Sequence, residues 1–225
     1  MCGKFTQMYS WQEVHAFSQP LGAANDTDQV VISTPMRPAK IMRLDAGGKR
    51  ELIEMRWGFA GRDDTAPTRP RHMHARGETV DMLPTFAQAF ASARGILMVH
   101  TFNEGEELPN GRTKQWVIAP QDGQPIAIAV ICEEWLNGAD GLHTFVQVTT
   151  PANTLISRIT DRMPAILPRE SWPTWLGETN ASRADVKELL RTYEDGGNWT
   201  MTEQASSKPP RQASPSKPNP QQDLF

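Results

Sequence analysis

Cys2 directly follows the initiator Met1, and this pair is the first candidate for chemistry in the chain. Removal of Met1 would leave Cys2 with a free α-amine and a thiol on adjacent carbon atoms. Both groups keep a usable nucleophilic fraction near neutral pH. Such an aminothiol can attack an acyl carbon, or it can condense with an aldehyde to an imine that the thiol closes into a thiazolidine ring. Because a free cysteine is more often simply buried, other segments must decide whether Cys2 is reactive.

Composition sets the class of protein. The chain has 225 residues, 38% of them hydrophobic, and a formal net charge of −3. This size suits one good core, and the charge gives no overall field for nucleic acid, so any DNA contact needs a local basic patch. The two cysteines do not make a disulfide framework, so we expect the protein to work in a reducing cytoplasm. No signal core, membrane span or Cys/His cluster with metal-ligand spacing is found, so neither a membrane partner nor a metal or other cofactor is expected.

The chain divides into a body and a tail. Residues 203–225 are rich in Pro, Ser, Gln and Lys, which predicts a disordered tail after a single domain over residues 1–202. Short apolar runs bounded by Gly, Pro or Asp predict strands at 29–34, 51–59, 95–102, 115–119, 125–132 and 143–150. Helical periodicity is found at 11–18, 78–93 and 182–195, where Ser182 is a candidate N-cap with Asp185 three residues later. The order of these elements predicts an α+β fold with a mainly antiparallel sheet or barrel and flanking helices.

Four internal segments combine charged or aromatic residues with turn formers: RWGFAGR (residues 56–62), HARGET (74–79), TFNEGEE (101–107) and ITDRMPAIL (159–167). Taken singly, each has a structural explanation. Arg76 and Glu78 would be a surface ion pair, and Glu104 would be one acid of a solvated loop at the end of an apolar strand. The order and separation of the segments, together with MCGKFT at the N-terminus, are more specific than any one of them.

Together these segments resemble the SRAP family (SOS response-associated peptidase) over about the first 180 residues. MCGKFT is similar to the family's MCGRF start, RWGF to its WGL segment, ARGET to its ARAET-type motif, and FNE to the end of its FYEW strand. DRMP with the following AIL, then Trp172 and Trp175, complete the series, and Pro35 falls where the family has a proline at a strand end.

The resemblance implies an abasic-site shielding protein. Cys2, after loss of Met1, would form an imine and then a thiazolidine with the aldehyde of a ring-opened abasic site in single-stranded DNA. By position Glu104 would carry the proton transfers that these steps require. Family members lose Met1 by self-processing, although the small side chain of Cys2 also suits a host aminopeptidase. The implied activities are therefore autopeptidase and lyase-type covalent chemistry in DNA repair.

The resemblance also implies DNA contacts. Arg76 and Arg162 match family positions that hold phosphates, and Trp57 matches an aromatic position at the site. Lys4 stands where the family has Arg, so it keeps the charge but loses the bidentate fork. Basic and aromatic side chains are the groups that hold single-stranded nucleic acid. We expect a monomer that associates with the nucleoid during repair.

Two departures from the family pattern concern proton transfer. His74 replaces the Asn of the family's NAR motif, and Thr160 replaces the His of its HDRMP motif. Histidine titrates near neutral pH and threonine does not. One interpretation, which we favour, is that the imidazole has moved from one active-site segment to another, so that His74 shuttles protons. The other is that crosslinking survives while reversal or processing is altered. The Tyr and Trp that flank the family's Glu are Asn103 and Gly105 in this chain.

The chain ends in QQDLF, which resembles the pentapeptide by which many bacterial replication and repair proteins dock on the sliding clamp. Gln221, Asp223, Leu224 and Phe225 agree with that pattern, whereas Gln222 replaces the favoured Leu. Leu224 and Phe225 are apolar anchors on an otherwise polar tail, and a flexible tether would raise their effective concentration near DNA. The alternative is a chance apolar end.

Two other functions compete with the abasic-site hypothesis. Glutamine amidotransferase domains also begin with MCG, and there Cys2 attacks a glutamine amide with its own α-amine as base. The Asn-Gly and Arg motifs of that class cannot be placed in this sequence. A non-catalytic DNA-binding or clamp-binding adaptor, with Thr160 marking a decayed site, is the second competitor. Glutaminase activity would identify the first class.

Overall fold

The structure is a computed structural model that describes residues 3–7, 31–60, 72–137, 140–194 and 197–204. A five-stranded antiparallel sheet has the order β12-β8-β7-β1-β2. Its strands are β1 (Lys4–Gln7), β2 (Val31–Ser33), β7 (Thr101–Glu107), β8 (Thr113–Pro120) and β12 (Trp199–Glu203).

A seven-stranded sheet lies against it, in the order β11-β10-β4-β3-β6-β9, with β5 paired to β10 off this path. Its strands are β3 (Pro38–Leu44), β4 (Arg50–Trp57), β5 (His74–Arg76), β6 (Arg94–Val99), β9 (Ile126–Asn137), β10 (Asp140–Pro151) and β11 (Arg162–Pro164). The described helices are α1 (Pro84–Ser92), α2 (Trp172–Leu176) and α3 (Arg183–Glu188), with 3₁₀ turns at Ile156–Arg158 and Arg169–Ser171.

The long strand β10 organises the larger sheet. It pairs antiparallel with β9 and β11 and parallel with β4 and β5. Because β10 bonds both β9 and β4, the strands β10-β4-β3-β6-β9 close into a ring. Strand β4 pairs with the first part of β10 and strand β5 with the part that follows. Side chains of β4 and β5 therefore lie beside those of β10, and this region contains the candidate site.

Two hydrophobic clusters fill the two faces of the seven-stranded sheet, because successive side chains of a strand point to opposite faces. One cluster joins Val146 and Val148 of β10 to the helices, through side chains such as Phe86, Phe90 and Trp175. The other joins Phe145 of β10 to the five-stranded sheet, through side chains such as Phe5, Trp57, Phe102 and Ile118. We call this second region, between the two sheets, the inter-sheet core.

The predicted α+β class with a mainly antiparallel sheet or barrel and flanking helices is confirmed. No helix in the described ranges is long and apolar enough to cross a membrane. Strand β12 runs through Glu203, one residue beyond the predicted end of the domain, and Gln204 N–H donates to Gln115 O at 2.8 Å. Residues 205–225 lie outside the described residues, so the predicted tail stays a prediction.

Three predicted elements differ in the structure. The strand predicted at 95–102 is two strands, because the chain leaves one sheet after Val99 and enters the other at Thr101. The helix predicted from residue 78 begins only at Pro84, since proline holds the preceding Leu83 in extended backbone with ψ 125°. The helix predicted at 182–195 ends at Glu188, and the segment 11–18 lies outside the described residues.

The predicted N-cap of the last helix is confirmed. Ser182 Oγ accepts from Asp185 N–H at 3.2 Å, and Asp185 Oδ2 accepts from Ser182 N–H at 2.9 Å. This reciprocal capping box satisfies two backbone donors that the first turn would otherwise leave open. It also holds the pKa of the Asp185 carboxyl below its ordinary value, chiefly through the hydrogen bond with Ser182.

Candidate active site

Glu104 lies in the middle of β7 with its carboxyl group buried. Its exposed fraction is 0%, and both carboxylate oxygens are closed off from solvent. Phe102, two residues earlier on the strand, belongs to the inter-sheet core, and strand alternation therefore directs Glu104 to the same region. The sequence interpretation of Glu104 as one acid of a solvated loop is wrong, because the segment is a central strand of the smaller sheet.

The two residues beside Glu104 that depart from the family pattern have structural roles. Asn103 is 3% exposed and its Nδ2 donates to Gln204 Oε1 at 3.1 Å, which ties β7 to the end of β12. A Cβ atom at Gly105 would lie 2.8 Å from Cγ2 of Thr113 and 3.2 Å from Nε2 of Gln115. The space at position 105 is thus occupied by side chains of β8, and a larger residue there would require the Thr113 and Gln115 side chains to move.

His74 enters the site from β5. Its ring meets the Trp57 ring edge-on, with centroids 5.8 Å apart. The neighbouring Ala75 belongs to the cluster on the helix side, so His74 faces the inter-sheet core. His74 and Glu104 therefore face the same region from opposite sheets.

Trp57, predicted to contact DNA, is fully buried at 0% exposure. Its Nε1–H donates to Met73 O at 2.9 Å, and its ring stacks on Phe145 at 6.4 Å and lies 5.2 Å from the Phe5 ring. In this conformation the indole holds the backbone just before His74 and links β1 to β10. A contact between Trp57 and a base stays a prediction.

Arg162 is held in place by a network at the end of β10. Its guanidinium binds the Glu78 carboxylate with both terminal nitrogens, with Nη2 2.9 Å from Oε2. The same Nη2 donates to Thr149 O at 2.7 Å and to Thr149 Oγ1 at 3.1 Å. Arg76, opposite Thr149 in the parallel pairing of β5 with β10, is exposed. The interpretation of Arg76 and Glu78 as an ion pair is wrong, because the residue that forms the ion pair with Glu78 is Arg162.

The remaining predicted residues are more dispersed. Lys4 is half-buried on β1, opposite Asn103 of β7, which brings it beside the strand that carries Glu104. Thr160 is half-buried just before β11, and its N–H donates to Ile156 O at 3.1 Å. Cys2 and the predicted clamp-binding residues Gln221, Asp223, Leu224 and Phe225 lie outside the described residues.

Most of the described site residues thus lie on or beside β10. Trp57, His74 and Arg76 stand opposite successive inter-sheet positions of β10, namely Phe145, Gln147 and Thr149. Sequence reasoning missed two residues here, Glu78 as the partner of Arg162 and the buried Gln147. The only sequence signal for Gln147 is one polar residue within the apolar run of β10, at a position that alternates with Phe145.

The ion pair between Glu78 and Arg162 predicts a pH-dependent contribution to stability. The pKa of the Glu78 carboxyl is held below its ordinary value, chiefly by the hydrogen bond from Arg162. A depressed carboxyl pKa stabilises the fold at neutral pH, and this contribution is lost as pH falls through the folded-state pKa. Because the Glu78 side chain is 47% exposed, we expect the Glu78→Gln protein to be less stable by at most about 1 kcal/mol at neutral pH.

Urea unfolding of both proteins from neutral pH to about pH 3 would check this. The difference in unfolding free energy should shrink towards zero at the acid end, where Glu78 is protonated in either state. A difference that stays constant over the whole range would contradict the assignment of the shift to this ion pair.

Comparison with known proteins agrees with this geometry. The family model "SOS response associated peptidase (SRAP)" matches residues 1–207. The abasic site processing protein YoqW of Bacillus subtilis is 27% identical over 204 residues, which cover 86% of this chain and 88% of that protein. The abasic site processing protein YoaM of the same organism is 27% identical over 206 residues, covering 86% and 87%.

Solved structures share the fold at low sequence identity. A protein of Bordetella bronchiseptica superposes with a TM-score of 0.74 at 20% identity, over 90% of this chain and 99% of that one. A protein of Bacteroides thetaiotaomicron gives a TM-score of 0.68 at 22% identity, over 76% of each chain. With a family model that spans nearly the whole described body and the same segments gathered around β10, the chain belongs to the SOS response-associated peptidase (SRAP) family.

Proposed function

We propose that this protein processes abasic sites in single-stranded DNA by covalent capture through Cys2, after Met1 has been removed. Family membership and the names of the two Bacillus relatives support abasic-site processing. The observation that carries the proposal is the buried carboxyl group of Glu104, which shares the inter-sheet core with His74. A carboxyl group closed off from water, in a region that an imidazole also faces, is a group suited to moving protons during catalysis.

Covalent geometry supports a role for Cys2 at this place. Lys4 pairs with Asn103, the neighbour of Glu104, in the antiparallel register of β1 and β7. Cys2 precedes Lys4 by two residues, and two residues of chain span at most about 7 Å. Chain connectivity therefore supports the assignment of Cys2 and Glu104 to the same reaction.

The proposed reaction releases one water and needs no oxidant. The Cys2 nitrogen adds to the aldehyde carbon, and one of its N–H protons passes to the aldehyde oxygen, which becomes a hydroxyl. This hydroxyl takes a proton from the Glu104 carboxyl and leaves as water. The thiol sulfur then adds to the carbon of the iminium ion, and the thiol proton returns to Glu104. The product is a thiazolidine ring that joins Cys2 to the former aldehyde carbon. Glu104 thus acts first as acid and then as base.

Arg76 and Arg162 are the described cations that we assign to the DNA phosphates. Arg76 is exposed, and both residues lie at the end of β10 that follows Gln147. Arg162 is 12% exposed and already fixed by Glu78 and Thr149, so it would bind a phosphate without first losing side-chain freedom. Lys4 would add positive charge from the facing sheet.

Removal of Met1 by self-processing is part of the proposal, and a host aminopeptidase would give the same active chain.

Adduct formation on a single-stranded oligonucleotide with one abasic site tests the proposal. Denaturing electrophoresis should show a heat-stable adduct with the processed protein, and none with Cys2→Ala or with the same oligonucleotide lacking the abasic site. DNA binding without an adduct, by protein shown to have lost Met1, would favour the adaptor. Glutaminase activity in place of an adduct would favour the amidotransferase class.

We further propose that the C-terminal QQDLF segment docks on a bacterial sliding clamp, with Leu224 and Phe225 as the apolar anchors. A labelled peptide ending at Phe225 should bind the clamp with micromolar affinity, and a peptide in which both anchors are Ala should not. Absence of binding by the native peptide at high micromolar concentration would remove this part of the proposal.

A further inference from the structure

Gln147 holds a fully buried side-chain amide in the middle of β10. Its exposed fraction is 0%, and neither Oε1 nor Nε2 hydrogen-bonds any group of the protein that the structure describes. The residues on either side, Val146 and Val148, are equally buried and apolar. Gln147 is therefore an exception within a strand whose neighbouring positions serve packing.

Strand geometry directs this amide to the candidate site. Val146 and Val148 belong to the cluster on the helix side, and Phe145 belongs to the inter-sheet core. Gln147 shares the face of Phe145 because two residues separate them. It also stands opposite His74 in the parallel pairing of β5 and β10. Neighbouring strands are about 4.8 Å apart, so the amide and the imidazole start from adjacent backbone positions on one face.

The burial of an unbonded amide is costly. Leaving its donor and its acceptor without hydrogen bonds destabilises a protein, because the amide loses its bonds to water and gains none in return. A leucine at this position would fill a similar volume without that cost. The amide is therefore best explained by a partner other than the described residues, in the inter-sheet core that His74 and Glu104 both face.

We propose that Gln147 binds the reacting oxygen atom of the opened abasic sugar, an inference that rests on the proposed function. An aldehyde oxygen only accepts hydrogen bonds, and the amide Nε2–H can donate to it. After the amine has added, the same oxygen is a hydroxyl that also donates, and the amide Oε1 can accept. The contact thus improves as the addition proceeds, which lowers the barrier of that step rather than merely tightening DNA binding.

Gln147→Leu tests this assignment, with Thr150→Val as the matched control. Thr150 is on the same strand, 1% exposed, and its Oγ1 has no described hydrogen-bond partner. The odd separation from Gln147 places it on the opposite strand face. Adduct formation at saturating abasic DNA should be about tenfold to a hundredfold slower for Gln147→Leu, with a half-saturating DNA concentration close to that of the wild type. The Tm should be unchanged or higher, and Thr150→Val should react at the wild-type rate.

Equal adduct rates for Gln147→Leu and the wild type would overturn the inference and leave the proposed function standing. A processed wild-type protein that forms no adduct would overturn both the inference and the proposed function. If leucine lowers the Tm, Gln147→Met provides the second variant, because its unbranched side chain has a similar length and adapts to irregular space. A methionine variant with wild-type stability and wild-type rate would overturn the inference as well.

Discussion

Replacing Glu104 with Gln is expected to slow adduct formation by a factor of about 10² to 10⁴. The substitution keeps the volume of the side chain but removes a group that can give and take a proton. The carboxyl group is 0% exposed, so bulk water cannot easily replace it in the buried region between the sheets. Single-turnover adduct formation, followed by quenching and denaturing electrophoresis, would measure the effect.

Glu107→Gln is the matched control for this experiment. Glu107 ends the same strand, pairs with Thr113 of β8, and is exposed to solvent. Its replacement removes one negative charge from β7 without touching the inter-sheet core, so the adduct rate should stay within about twofold of the wild type. A Glu104→Gln protein that reacts as fast as this control would exclude Glu104 as the proton donor.

Replacing His74 with Ala is expected to slow both crosslinking and reversal, by about 10² if the imidazole supplies the proton transfers that the family assigns to another position. The effect should appear in both directions because a shuttle acts on the forward and the reverse step alike. The pH profile of the adduct rate should also lose the inflection that an imidazole contributes near neutral pH, whereas the rise caused by deprotonation of the Cys2 amine should remain. Rates measured from pH 5 to 8 on quenched samples would show this.

Two further variants separate acid–base chemistry from packing against Trp57, whose ring centroid is 5.8 Å from that of His74. His74→Asn restores the residue of the family motif and keeps hydrogen bonding without titration. His143→Ala is the control for loss of a histidine elsewhere on β10, and it should react at the wild-type rate. His143 is half-buried, and its Nε2 lies 3.8 Å from Oε1 of Glu134. If His74→Ala crosslinks and reverses as fast as the parent, the relocation of the imidazole is wrong. If only reversal changes, His74 acts in reversal and not in crosslinking.

Local sequence patterns predicted much of the fold. The apolar runs at 125–132 and 143–150 predicted the strands β9 and β10, although each strand extends to 12 residues, and the residue types at Ser182 and Asp185 predicted the N-cap of the last helix. The break at His100 was not predicted, because Val99 and Phe102 are both apolar and no Gly or Pro marks the change of sheet. Which sheet a strand joins depends on distant partners, and the local pattern carries no such information.

The candidate site was predicted less completely. Resemblance to a family selected Glu104, His74 and Arg162, but it did not indicate that Glu104 is closed off from solvent or that Trp57 is fully buried. The pairing of Glu78 with Arg162 joins residues 84 positions apart, and only the pairing of β5 and β11 with β10 brings them together. Gln147 was missed for the same reason, since its significance depends on its register with His74.

The most direct test is the intact mass of the product between the protein and single-stranded DNA that carries one abasic site. The chain has two cysteines, and burial raises the pKa of the Cys132 thiol to about 12, so Cys2 is the thiol available for reaction. We predict a mass equal to the chain without Met1 plus the DNA minus one water, unchanged by borohydride because a thiazolidine has no C=N bond to reduce. Cys2→Ala should give no such product. A borohydride-resistant adduct with Cys2→Ala, or a processed wild type that binds the DNA and gains no mass, would contradict covalent capture through Cys2.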